Sequence, residues 1–125
     1  MIRPAAIVAF LTATASVADA ACMKPEQVER AEGRLAFGTF RDAADRPEKA
    51  FILRLTSPAC LDAEAGTDRV AAAPTIHVYP TDRAIQAAMR RLAGGVVTVR
   101  GKPFARHTAH HHAPIVMEVI EIRAK

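Results

Sequence analysis

Four of the chain's five histidines fall within six positions, in the stretch HTAHHHAPIVMEV that runs from His107 to Val119. Imidazole suits zinc, copper and nickel, so a transition-metal site is the first chemistry these residues suggest. In an extended segment His110 and His112 project to one side and His111 to the other, because strand side chains alternate. His107, three residues upstream, can close back across a turn as a third ligand. Asp42 or Asp45 from another loop could supply a carboxylate in the fourth position. Three protein ligands and an open position are the pattern of a catalytic zinc site. The sequence nevertheless has no HExxH motif, no acid–base pair and no nucleophile–base spacing, so no catalytic residue is assigned and hydrolysis is the least favoured reading. The competing expectation is structural. Neutral imidazoles beside a strand can donate to backbone carbonyls or to a carboxylate such as Glu118, fastening the loop without any ion.

The elements that must position these residues can be read from hydrophobic period. Val28 to Phe40 places Gly33, Leu35 and Phe37 on one side, at strand period, with the glycine marking a bend. A polar loop with Pro47 near its end follows. Phe51 to Thr56 alternates Phe51, Leu53 and Leu55 against Ile52, Arg54 and Thr56, and pairs with the first run as a hairpin. Pro58 is expected to end it, and Leu61 to Ala73 to be irregular. Thr75 to Tyr79 forms a short strand between two prolines. Thr81 can then cap a helix with Asp82 in its first turn. Ile85, Ala88, Met89 and Leu92 form its apolar stripe, and Arg90, Arg91 and Gly94-Gly95 its end. Val96 to Gly101 and Ile115 to Ile122 complete the set. The apolar phase of the last strand slips from Val119 to Ile120, which predicts a bulge or a strand that outlasts the barrel.

This order, β-β-β-α-β-β, predicts a mainly β domain with one helix, a small five-stranded OB-fold-like barrel. A ferredoxin-like sandwich would need a helix between the first two strands, and FRDAADRPEK has no apolar stripe to make one. OB-folds meet ligands on the face of strands two and three, flanked by the loops joining strands one to two and four to five. The second of these is Lys102 to Pro114, so the histidines sit on the edge where such a barrel does its work. Arg34 and Arg54 can lie together on the first two strands, with Phe40 nearby, as an anion-binding face. With no Trp and one Tyr, stacking platforms for bases or sugars are scarce.

The run GKPFARHTAHHHAPIVMEV, Gly101 to Val119, resembles the signature of an uncharacterised family of exported bacterial proteins known as a domain of unknown function. Gly101, Phe104, Thr108, His110, His111 and His112 match its pattern. Gly33-Arg34-Leu35 and the Leu55 to Cys60 segment are also similar. Ala109 stands where the family has glycine, and Ala113 where it has threonine. The resemblance implies secretion and a small β-barrel, and no activity.

Met1 to Ala20 reads as a signal peptide: Arg3, the short apolar core Pro4 to Ala13, and Ala18-Asp19-Ala20 before the cleavage point. Ala21 to Lys125 is then a single mature domain, periplasmic or secreted, with no later segment long enough to cross a bilayer. In an oxidising compartment Cys22 and Cys60 most simply pair with each other. The formal charge of +4 favours acidic envelope components, such as anionic polymers or lipid headgroups, and export argues against nucleic acid. Together these features predict a non-catalytic binding module of unassigned ligand whose ligand edge is the histidine loop; zinc, copper or nickel on His107, His110 and His112 is the metal candidate. The alternative is an anionic-polymer or nucleic-acid binder whose histidines are scaffold.

Overall fold

Alternating apolar residues build five strands and one helix in the computed structural model, which describes residues 4–6 and 21–125. Most of the expected signal peptide, residues 7–20 up to its cleavage point included, lies outside the described residues. In chain order the elements are β1 (Glu29–Arg41), β2 (Pro47–Leu61), β3 (Val70–Pro80), α1 (Arg83–Leu92), β4 (Val96–Ala105) and β5 (Ile115–Ala124). The strands close into a barrel in the order β1-β2-β3-β5-β4. Among these strands β3 and β5 pair in parallel, and the other neighbours pair antiparallel. This is the OB-fold arrangement expected from the sequence, and closure excludes the ferredoxin-like sandwich.

One face of each strand fills the barrel. Leu35, Leu53, Ile76, Val99, Ile115 and Met117 are all fully buried. Burying each such side chain contributes roughly 1.5–3 kcal/mol relative to leaving it exposed. The helix adds Met89 to the same core, flanked by Ile85 and Leu92. Its N-cap is Asp82, whose carboxylate accepts from the Ile85 amide at 2.8 Å. Thr81, the expected cap, instead donates its hydroxyl to the Val119 carbonyl at 2.8 Å, tying the helix entry to β5. At the other end Gly94 takes φ +93 and donates to the Leu35 carbonyl at 2.7 Å, fastening the helix exit to β1.

Two approaches of backbone to backbone let so few strands close. β1 changes partner at Gly33, which pairs with Leu55 of β2 on one side and Val97 of β4 on the other. A Cβ there would lie 2.0 Å from the Arg54 carbonyl oxygen. At Gly101 a Cβ would lie 2.2 Å from the Glu118 carbonyl oxygen. Gly101 also borders the expected bulge: Arg100 pairs with Glu121 and Gly101 with Val119, which leaves Ile120 as the extra residue.

Three strand boundaries differ from expectation. β2 does not stop at Pro58. Its register with β3 shifts between Arg54 and Ala59, and the proline, which has no N–H to donate, sits in that interruption. The alanine-rich segment before Pro74 is not irregular up to Ala73: from Val70 it pairs with β2, Leu61 to Val70 and Ala59 to Ala73, so the hairpin continues as an arm beyond the barrel. Alanines give no apolar alternation, which hides this strand from a periodicity argument. β4 runs past Gly101 to Ala105, shortening the last loop to residues 106–114.

Cys22 and Cys60 are joined, with Cα atoms 4.7 Å apart. The bridge lays the N-terminal segment along the arm, where the Met23 amide donates to the Cys60 carbonyl at 2.8 Å and its own carbonyl accepts from Asp62 at 2.9 Å. The bridge spans 38 residues. In the chain-entropy treatment it contributes ~4 kcal/mol. Reduction, or Cys22→Ala with Cys60→Ala, should lower unfolding free energy by about that amount in denaturant titration. Gly33→Ala should cost more than ~3 kcal/mol, because neither clashing backbone can withdraw without opening the barrel. A Gly33→Ala protein of unaltered stability would show that the closure is not set there.

Candidate functional site

The loop between β1 and β2 is a tight polar turn. The Asp42 carboxylate accepts from the Ala44 and Arg46 amides at 2.9 Å each, and Asp45 takes φ +58. These bonds hold the Asp42 carboxyl below its usual range, the Arg46 amide contributing most. The turn brings Glu48 directly across from Phe40 in the β1–β2 ladder. On the outer surface of β2 and β3, Ile52 pairs with His77, and His77 in turn with Val116 of β5.

The histidine loop lies down on this outer surface. The His112 ring stacks on Phe40 at 4.5 Å between centroids and on His77 at 5.6 Å. Its Nε2 bonds to the Glu48 carboxylate, and its backbone amide donates to His77 Nδ1 at 3.1 Å. His110 reaches the other oxygen of Glu48 through Nδ1 at 2.7 Å. His110 and His112 converge on one group while His111 turns elsewhere, but not by strand alternation: residues 108–110 form a bend and turn rather than the extended segment expected. The His111 ring packs on Phe104 at 5.4 Å and on His107 at 4.7 Å, and its Nδ1 accepts from the His107 amide at 3.2 Å. Thr108 turns the loop, accepting from the His111 amide with its carbonyl at 3.1 Å and from the His110 amide with its hydroxyl at 3.2 Å.

The partner of these imidazoles is Glu48, which the sequence did not single out. Glu118, Asp42 and Asp45 do not bond to them. His107 stands apart from Glu48, with its ring tilted on Phe104 at 5.4 Å. Among the described residues, no group of three His, Cys, Asp or Glu side chains is arranged to hold a metal ion. Beside the loop Val116 is completely buried and Ala113 is 3% exposed, while the His107 and His110 rings stay exposed.

Electrostatics follow from this packing. Burial, reinforced by the neighbouring His112 and His111, lowers the His77 pKa from 6.5 to about 4. Neutral at pH 7, His77 can accept the His112 amide proton. Burial, together with His107 and the other loop histidines, also lowers His111. Hydrogen bonds from His110 and then His112 hold the Glu48 carboxyl below its usual range.

Beside the loop, the outer face of β1, β2 and β3 forms a groove of about 490 Å³. Its floor carries the small residues Ala36 and Gly38 with Ile52; Arg54, Pro74 and Thr75 line one part, and Phe40 and His112 another. Arg34 and Arg54 are direct partners across the β1–β2 ladder, as the anion-face expectation required. Their roles differ, however. Arg34 donates to the Gly94 carbonyl at 2.6 Å behind the helix, whereas Arg54 lines the groove.

The family model described as a domain of unknown function (DUF4431) matches residues 75–123. The matched span includes Gly101 to Val119. The structure gives the matched positions local reasons: Gly101 for close backbone approach, Phe104 for ring packing and Thr108 for the turn. Ala109 has no positive φ, so the turn does not require glycine at this position. No curated protein matches the chain. Among solved structures, a small single-stranded DNA-binding protein from Streptomyces coelicolor is similar at 20% identity and TM-score 0.47, covering 80% of this chain and 94% of its own.

The pH response of the loop follows from these pKa shifts. Unfolded His77 binds a proton near pH 6.5, whereas the folded residue resists it down to about 4. Stability from His77 is therefore complete above pH 6.5 and lost as the pH falls toward 4. His111 acts in the same direction, and lowered Glu48 adds a loss at still lower pH. Urea midpoints should decline steadily across this interval, and His77→Gln should flatten the decline. A midpoint independent of pH between 6.5 and 4 would contradict the neutral, accepting His77.

Proposed function

We propose that the chain is a non-catalytic binding module, exported to an oxidising compartment, which takes an extended anionic ligand along the β1–β2–β3 groove. The observation that carries this reading is the groove itself. It combines a cationic wall at Arg54, a small-residue floor that lets a ligand approach the sheet, and the flat Phe40–His112 stack as a surface for an apolar or planar part of the ligand. The groove occupies the ligand face of an OB-fold. The cystine supports export, since such bonds persist outside the reducing cytoplasm. Among the described residues, no helix is long and apolar enough to cross a membrane.

In this reading the histidines are scaffold. One ring nitrogen on each of four of them is engaged: His110 Nδ1 and His112 Nε2 on Glu48, His111 Nδ1 on the His107 amide and His77 Nδ1 on the His112 amide. An acidic envelope polymer is the ligand class that compartment and charge favour together.

Binding to dextran sulfate, polygalacturonate and a single-stranded oligothymidylate, followed by anisotropy at rising salt, tests the proposal. The acidic polysaccharides should bind with salt-sensitive affinity, Arg54→Gln should weaken them by roughly tenfold or more, and Ala36→Leu should block the floor. Equal binding by wild type and both variants would overturn the groove, and preference for the oligothymidylate would replace the acidic polysaccharide with nucleic acid. Zinc, copper and nickel should leave the melting temperature unchanged; a saturable rise lost in His110→Ala with His112→Ala would instead make the loop a metal site.

A further inference from the structure

Beyond Gly33, β1 leaves β2 for β4, and the outer surface there has a different character. Arg30 of β1 pairs directly with Arg100 of β4, and Arg100 pairs on its other side with Glu121 of β5. Arg123 of β5 pairs with Thr98 of β4. These five residues, with Ala124, line a concavity of about 270 Å³ that shares no residue with the β1–β2–β3 groove. Like charges placed directly across a ladder destabilise it, and nothing in the barrel core requires arginine at either outer position.

The internal pairing leaves the cluster incomplete. Arg100 Nη1 donates to Glu121 Oε2 at 2.9 Å, and Arg123 bonds the other oxygen of the same carboxylate. Among the described residues Arg30 has no ion-pair partner, although it stands next to this pair in the ladder. The nearby Glu32 carboxylate is engaged with Lys125 Nζ at 2.6 Å, and Arg30 reaches it only through longer-range attraction, without an ion-pair contact. Three guanidinium groups and one carboxylate leave two positive charges in a shallow, open concavity.

We infer that Arg30, Arg100 and Arg123 form a second anion site, on the β1–β4–β5 wall, that binds a phosphate group. Guanidinium forks match phosphate oxygens in bidentate fashion, and three forks converge here from three adjacent strands. Glu121 decides between anions. It already supplies a carboxylate to Arg100 and Arg123, so a ligand carboxylate would offer them nothing stronger, whereas a phosphate dianion brings more charge and a further acceptor oxygen. Thr98 can donate its hydroxyl to the same group. Phosphate in this form exists on free small molecules and on membrane headgroups, and an open site on an outer strand surface can meet either.

The full chain, as exported and with its cystine intact, should be titrated with inorganic phosphate and with O-phosphoserine, and sedimented with vesicles of phosphatidylcholine alone or containing phosphatidic acid. Phosphate-dependent binding that weakens at least tenfold in Arg30→Gln with Arg123→Gln is expected. Arg83→Gln with Arg91→Gln, which removes the same charge from the helix, should bind as wild type does. Glu121→Gln removes the internal competitor and should tighten binding several-fold, a gain that a purely structural ion pair would not produce. Binding of the soluble phosphates marks a small-molecule site, and retention on phosphatidic acid vesicles alone marks a headgroup site. No binding to any phosphate, equal losses in both arginine pairs, or weaker binding in Glu121→Gln would overturn the inference. Because the arginines are exposed and Glu121 is only half-buried, the variants should keep the wild-type circular dichroism; if the double arginine variant does not, Glu121→Gln and the helix pair still decide the outcome.

Discussion

The architecture depends on the space that two missing side chains leave. Five strands enclose a narrow core only if the sheet coils tightly, and tight coiling forces backbones together. At Gly33 and Gly101 the neighbouring carbonyl oxygens occupy the volume where a Cβ would be. The first lets β1 serve two partners, and the second seats β4 against the bulged part of β5. With these contacts in place the barrel closes and leaves two distinct outer walls. One wall carries the groove and the histidine loop; the other carries the arginine cluster.

On the groove wall, imidazole is used chiefly as a flat ring. His112 is held between Phe40 and His77, while His111 and His107 close around Phe104. Rings with a polar edge suit this position, since a loop over a sheet must pack against apolar residues and satisfy its own amides together. His77 and His111 do both, presenting a face to neighbouring rings and a ring nitrogen to a backbone N–H. Glu48 then locks the open side of the stack through two histidines at once.

Most of the fold was legible because its strands alternate. Leu35, Leu53 and Met117 mark inward faces, the helix stripe puts Met89 in the core, and the phase slip at Ile120 locates the bulge. The arm was hidden because Ala71, Ala72 and Ala73 offer no contrast between faces. The helix cap was displaced by one residue because Thr81 had a better acceptor in β5 than in its own helix. At the site, the hairpin register brought Arg34 beside Arg54, whereas His110 and His112 meet at Glu48 because the loop turns at Thr108 rather than running extended. Glu48 was not legible. Its importance arises from the pairing with Phe40, which depends on how the Asp42 turn closes. Such a partner emerges only when hairpin register and loop docking are considered together.

The cystine sits at an unusual mechanical position. It joins the segment preceding β1 to the β2 side of the projecting arm rather than to the barrel wall. Tension applied through Ala21 therefore enters the molecule by a covalent route at Cys60. It pulls on the hairpin ladder before it can peel β1 from its neighbours. Should the sulfurs be reduced, the same pull would fall on the few hydrogen bonds around Met23 and then on the first strand, so redox state sets which part of the domain yields first under load.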